Sequence, residues 1–167
     1  MLVRALLLTA VLVAPACRDG APGPPGSATV VRVVDGDTLV ARVQGADERV
    51  RLIGIDTPET HGPGGLRECF GQEATRHLEE LLPARTPVTL VRDVEERDRY
   101  GRLLAYVYRR SDDLFVNMAM ARDGFAAPLT IAPNVAHAEA FVVAAAAARE
   151  AERGLWAACG GADTPIP

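Results

Sequence analysis

The chain has 167 residues, about one domain's worth, and its 22 acidic and 18 basic side chains, every basic one an arginine, leave a net charge of −4. That balance is a poor fit to bulk electrostatic capture of nucleic acid, so any phosphate chemistry must come from a local cluster of positive charge. The length allows one core that buries roughly two-thirds of its unfolded surface.

Residues 1–17 read as an export signal. Met1-Leu2-Val3-Arg4 gives the positive start, 5–13 the apolar run, and Ala14-Pro15-Ala16 an A-x-A cleavage pattern. The run is too short to span a bilayer as a helix. Cys17 follows at once, so two readings stand: a cell-envelope lipoprotein tethered through lipidated Cys17, or a secreted protein. Residues 18–27 are Gly/Pro-rich and suit a flexible linker; the folded domain is expected over 28–160 and a disordered tail over 161–167. Three cysteines leave an odd one in an exported chain. With Cys17 acylated, Cys69 and Cys159 remain as a pair that an oxidising compartment would join; two unrelated buried thiols are the alternative.

Residues 28–34, 38–43 and 49–55 predict three β-strands, separated by Asp35-Gly36-Asp37 and by Gln44-Gly45-Ala46-Asp47 as turns. A loop rich in glycine and proline covers 57–66. The spacing of Ala74, His77, Leu78, Leu81 and Leu82 predicts a helix over 70–82, stopped by Pro83. Two more strands are expected at 87–92 and 103–108, flanking a charged connection over 93–102. A short helix follows over 114–122, capped near Asp112 or Asp113 and ended by Gly124. Residues 125–131, broken by Pro128, read as loop or weak strand; Asn134 is expected to cap a long helix over 135–152, terminated by Gly154. No internal repeat is visible. Strands that cluster rather than alternate with helices favour an α+β fold, a five-stranded OB-type β-barrel with three α-helices, over a parallel α/β sheet.

The acids Asp35, Asp37, Asp56 and Glu59 fall at strand ends, where two strands finishing together can bring Asp37 and Asp56 onto one hard, oxygen-loving divalent cation. Singly, each acid is an ordinary turn or loop residue. Arg51 lies on the strand that delivers Asp56, and Arg102 starts another strand after Tyr100-Gly101. Arginines beside a metal site suit a phosphodiester, whose reaction builds charge on oxygen and needs fixed positive partners.

Taken together, Val34-Asp35-Gly36-Asp37-Thr38, Arg51-Leu52-Ile53-Gly54-Ile55-Asp56-Thr57-Pro58-Glu59-Thr60 and Asp98-Arg99-Tyr100-Gly101-Arg102-Leu103-Leu104-Ala105-Tyr106 resemble the staphylococcal nuclease family. Phe70-Gly71-Gln72-Glu73-Ala74 and the closing Gly154-Leu155-Trp156 extend the resemblance over about 29–157, in unbroken order. The resemblance implies a calcium-dependent phosphodiesterase that cuts DNA and RNA to 3′-phosphorylated products. On this chain it implies Asp37 and Asp56 as carboxylate ligands of calcium, Thr57 as a backbone-carbonyl ligand, and Asp35 as an acid near the metal's waters. Glu59 matches the proposed general base, Arg51 and Arg102 the guanidinium pair on the phosphate, and Arg99 and Tyr100 the contacts to a terminal phosphate.

Three features depart from the family pattern. Leu129-Thr130-Ile131-Ala132 stands where base-stacking tyrosines are expected before Pro133-Asn134, Gly62-Pro63-Gly64-Gly65 replaces a lysine-bearing loop, and the chain is acidic. Stacking contributes about 1–3 kcal/mol per base, so weaker substrate binding or altered base preference is expected. His61, His77 and His137 lack metal-ligand spacing, and the alanine run 144–148 reads as helix interior. Two competing readings keep the fold without the reaction: a non-catalytic nucleic-acid-binding module, and a calcium-stabilised envelope protein. The first usually loses the acids or arginines that are intact here; the second leaves the arginine pair unexplained. A monomer is expected.

Overall fold

The computed structural model describes residues 26–60, 67–162 and 164–165. The expected export signal, Cys17, nearly all of the 18–27 linker, His61 and Gly62-Pro63-Gly64-Gly65 lie outside the described residues.

Strands β1 (Ser27–Asp35), β2 (Thr38–Val43) and β3 (Ala46–Leu52) form an antiparallel meander. Gln44 and Gly45 turn β2 into β3 with φ of 49° and 88°, both positive, as a tight primed turn requires. Two register shifts bend β1, at Val30/Arg32 and at Val33/Asp35, so that its two ends serve different neighbours. One end pairs with β5 (Pro87–Val91), which pairs with β6 (Leu103–Arg109). β6 then meets β3 in parallel, Val50 opposite Leu103 and Leu52 opposite Ala105, closing a five-stranded barrel. β7 (Leu114–Phe115) is appended to β6. Closure removes the exposed edges that an open sheet would present.

The strand expected over 49–55 is two strands. β3 ends at Leu52, and β4 (Gly54–Asp56) leaves the barrel to pair with β8 (Ala127–Leu129). Gly54 permits the change of direction: its φ is +84°, and an added Cβ would lie 2.2 Å from the Phe141 ring. Where β3 departs, the buried side chain of Asn117 takes over its hydrogen bonds. It accepts the Val107 N–H at 2.9 Å and donates to the carbonyls of Ile53 at 2.9 Å and Ala105 at 3.2 Å.

Among the described residues four helices are present rather than the expected three: α1 (Gly71–Leu81), α2 (Val116–Arg122), α3 (Ala138–Glu150) and α4 (Leu155–Cys159). Gly154 does break the chain after α3, but Leu155 is fully buried and its N–H donates to the Gly124 carbonyl at 2.8 Å, anchoring a further turn. α3 starts later than Asn134 suggests, because that side chain is engaged elsewhere. It accepts the Glu95 N–H at 2.8 Å and donates to the Glu95 carbonyl at 3.1 Å. Likewise Asp112 does not cap α2; it receives Arg109 through two contacts of 2.9 and 2.7 Å, while Leu114 and Phe115 pair with β6.

The barrel interior is filled by Leu39, Val50, Leu52 and Val107, onto which α1 packs Leu78 and α2 packs Met120. Each such side chain contributes about 1.5–3 kcal/mol on burial. Cys69 and Cys159 are joined in a disulfide with their Cα atoms 6.0 Å apart. Thr164 and Pro165, in the stretch expected to be a disordered tail, lie against the start of α1: Thr164 accepts the Cys69 N–H at 2.8 Å, and Pro165 bridges to Glu68. Among the described residues no helix is long and apolar enough to cross a membrane.

Candidate active site

Local pairing brings the first group of residues together. The β2–β3 register sets Arg51 opposite Thr38, directly beside Asp37 at the β1–β2 turn. β4 then returns Asp56 to the same place. Arg51 spans both aspartates, one guanidinium nitrogen 2.6 Å from Asp37 Oδ2 and the other 2.7 Å from Asp56 Oδ1. A further contact, from Arg51 to the Leu52 carbonyl at 3.0 Å, fixes the plane of the fork.

Asp37 is buried and well supplied with donors. Its Oδ2 accepts the Thr57 N–H at 3.1 Å and the Thr57 hydroxyl at 3.2 Å; its Oδ1 accepts the Thr38 hydroxyl at 3.1 Å. Asp35 accepts the Asp37 N–H at 3.2 Å. Burial is the largest influence on Asp37 and pushes its carboxyl up to about 7; Arg51 opposes this, while Asp35 and Asp56 add to it. The Glu59 carboxyl is also held above its usual range, by burial first and then by the charges of Asp35 and Asp56.

Four carboxylates, Asp35, Asp37, Asp56 and Glu59, thus share one electrostatic neighbourhood with Arg51 as the opposing charge. Among the described residues no three His, Cys, Asp or Glu side chains converge closely enough to form a metal cage alone; Arg51 stands between the two aspartates instead. The donor set is nonetheless all oxygen and in negative excess, which fits a hard divalent cation and not a soft one.

A second group forms the wall of an adjoining cavity of about 500 Å³, lined among others by Arg51, Arg99, Tyr100, Arg102, Leu129 and Ile131. Arg51 therefore faces the acids on one side and this cavity on the other. Asp37, Asp56 and Glu59 are not part of the lining. Asp98 organises the turn that carries Arg102. Its Oδ2 accepts Arg102 Nε at 2.7 Å, and its Oδ1 accepts the backbone N–H groups of Tyr100 and Arg102, each at 2.9 Å. Burial alone would raise the Asp98 carboxyl, but the Arg102 contacts outweigh it and hold it below the usual range. Arg99 donates to the Tyr100 hydroxyl at 2.6 Å, and its guanidinium lies 4.8 Å from the centre of that exposed ring.

Sequence reasoning assigned Asp98 no role at the site, and gave Asn134 only that of a helix cap. Asp98 carried a usable signal, since an aspartate two residues before a backbone donor in a turn commonly makes an Asx contact. Asn134 carried none beyond its misleading likeness to a helix cap. His77, outside the site, stacks on Phe125 at 3.9 Å and meets Asp123 at 3.3 Å; His137 packs edge-on against Tyr106 at 4.6 Å.

Comparison with known proteins covers most of the folded domain. The family model described as staphylococcal nuclease homologue matches residues 49–158, which contain Arg51, Asp56, Glu59 and Arg102. A thermonuclease of Staphylococcus hyicus is 35% identical over 127 residues, covering 76% of this chain and 73% of that protein. A thermonuclease of Staphylococcus intermedius is 43% identical over 105 residues, covering 63% of this chain and 61% of its own. Endonuclease YncB of Bacillus subtilis is 30% identical over 133 residues, covering 79% and 62% respectively. A closed five-stranded barrel with its acids and arginines gathered at one end, matched in sequence along most of its length, makes this chain a member of the staphylococcal nuclease family.

Proposed function

We propose that the protein is a calcium-dependent nuclease that hydrolyses phosphodiester bonds of DNA and RNA and leaves 3′-phosphorylated products. The observation that carries this reading is the placement of Arg51, whose fork spans Asp37 and Asp56 and which is also among the residues lining the cavity shared with Arg102. Asp37, Asp56 and the Thr57 carbonyl would hold the calcium ion, with Asp35 ordering its waters. Bound there, calcium would supply Lewis-acid stabilisation of the phosphate and a site for the attacking water.

The remaining work falls to side chains. Glu59 takes a proton from water as the water oxygen bonds to phosphorus, a contribution of about 10²–10⁴ in rate. The bond from phosphorus to the 5′ oxygen breaks, that oxygen takes up a proton from solvent and leaves as the 5′-hydroxyl, and the phosphate stays on the 3′ side. Arg51 and Arg102 stabilise the growing oxygen charge, each on the order of 10²–10³. Arg99 and Tyr100, which line the same cavity, bind the terminal phosphate of the nucleotide.

The test is to incubate the purified protein with single-stranded DNA in calcium or in chelator. Digestion should require calcium and be nearly abolished in Glu59→Ala and in Arg102→Ala. A folded protein that binds DNA at every calcium level without cutting it would replace this reading with that of a binding module. We further propose export, as a Cys17-lipidated or a secreted monomer; incorporation of a clickable palmitate into wild type but not Cys17→Ser would establish the anchor.

A further inference from the structure

Glu59 lies in no helix or strand, yet its backbone is gripped on both sides by a single residue. The Glu68 carboxylate accepts the Glu59 N–H at 2.7 Å, and the Glu68 N–H donates to the Glu59 carbonyl at 2.9 Å. The start of α1 closes the third side. An added Cβ at Gly71 would lie 3.0 Å from the Glu59 carbonyl carbon and oxygen and 2.9 Å from the Pro58 oxygen, so only glycine lets the helix sit this close.

Glu68 is in turn braced from the far end of the chain. It bridges to Pro165; the neighbouring Cys69 donates its N–H to Thr164 at 2.8 Å and is bonded to Cys159. The Thr164 hydroxyl completes the brace with contacts of 3.3 Å to the carbonyls of Cys159 and Gly161. From the disulfide to Glu59 there is thus one continuous series of bonded contacts, all outside the barrel.

We propose that Glu68 is the positioning residue for Glu59, and that the disulfide-locked C-terminal segment is the support on which Glu68 acts. The inference rests on the reading of Glu59 as the proton acceptor. Glu68 touches neither substrate nor reacting atoms; it fixes where the Glu59 carboxylate stands relative to the attacking water. Displacing a reacting group by about 1 Å costs on the order of 10²-fold in rate, whereas substrate capture by Arg51, Arg99 and Arg102 does not depend on this contact.

The test measures kcat and KM on single-stranded DNA with calcium, using the full chain well below its melting temperature. Glu68→Ala should lower kcat by about 10–100-fold with KM within about threefold of wild type. Glu68→Gln retains a carbonyl acceptor for the Glu59 N–H and should recover most of kcat. The Cys69→Ser/Cys159→Ser double variant should lose kcat in the same KM-neutral way, and adding Glu68→Ala to it should cost less than Glu68→Ala alone. Wild-type kcat in Glu68→Ala, or a Gln variant no better than Ala, would overturn the positioning role. A folded double-serine variant with wild-type kcat would overturn the support. If Glu59→Ala itself cuts as wild type does, the proton-acceptor reading fails and this inference falls with it.

Discussion

Replacing Asn117 by alanine tests how the site is suspended from the barrel. The buried amide meets three backbone groups at the point where β3 gives way to β4: Val107 N–H at 2.9 Å and the carbonyls of Ile53 at 2.9 Å and Ala105 at 3.2 Å. The Ala105 carbonyl keeps its bond from the Ile53 N–H at 3.2 Å, so two buried groups, Val107 N–H and Ile53 C=O, lose the partner that satisfies them. At about 1–3 kcal/mol for each, the expected loss is about 2–6 kcal/mol. That is a large share of a domain's usual stability of about 5–15 kcal/mol. Urea unfolding followed by the fluorescence of Trp156, the single tryptophan, gives the midpoint and slope. Asn117→Asp should fare no better, since it presents oxygen to two carbonyls and buries a charge. A loss below about 1 kcal/mol in Asn117→Ala, at unchanged slope, would refute the assignment of these bonds as the strut under Asp56.

Further outcomes are expected elsewhere. Asp98→Ala frees the Arg102 guanidinium and its turn, and should reduce kcat/KM by about 10–100-fold in steady-state cleavage; an unchanged value would show that Arg102 is placed by something else. With three arginines lining the cavity, the logarithm of single-strand affinity should fall with log salt at a slope of about −2; a much steeper slope in a salt titration would reveal a basic surface beyond these residues. Burial first, then the hydrogen bond to Asp93, pushes the Tyr106 phenol up to about 12. A phenol pKa raised by folding gives stability that is complete below about pH 10 and is lost as pH climbs through the folded value. Melting temperature should therefore drop between about pH 10 and 12 more steeply in wild type than in Tyr106→Phe, and parallel curves would count against it. Opening the 69–159 bridge by double serine substitution should cost about 4–5 kcal/mol by chain entropy, given a sequence separation of 90; retention of wild-type urea midpoint would contradict that account.

Most strand and helix positions were legible because their signals are local. The β-branched run before Asp35, the Asp-Gly-Asp and Gln-Gly turns and the apolar face of α1 each declare themselves within a few residues. The failures share a cause, which is a partner distant in sequence. Residues 49–55 look like one strand, yet Gly54 must turn aside to admit Phe141. Asn134 looks like a helix cap, yet Glu95 claims its amide. Leu155 follows a terminating glycine, yet burial beside Gly124 restarts the helix. At the site, Arg51 and Asp56 are close in the chain and their meeting was foreseeable. That the same guanidinium also reaches Asp37 depends on the β2–β3 register, which the Gln44-Gly45 turn sets.

The parallel joint of β3 with β6 also governs how the protein is made. A nascent chain leaves the ribosome N-terminus first, so the meander is complete long before Leu103–Ala105 exists to seal the ring. During that interval the Val50 side of β3 is an open seam, able to accept a strand from any neighbouring molecule. Release of a product ending at Arg102 should yield aggregates, whereas the complete polypeptide should not; a soluble, folded short product would show that the seam is guarded in some other way. Strand order alone thus decides when in synthesis this seam can close.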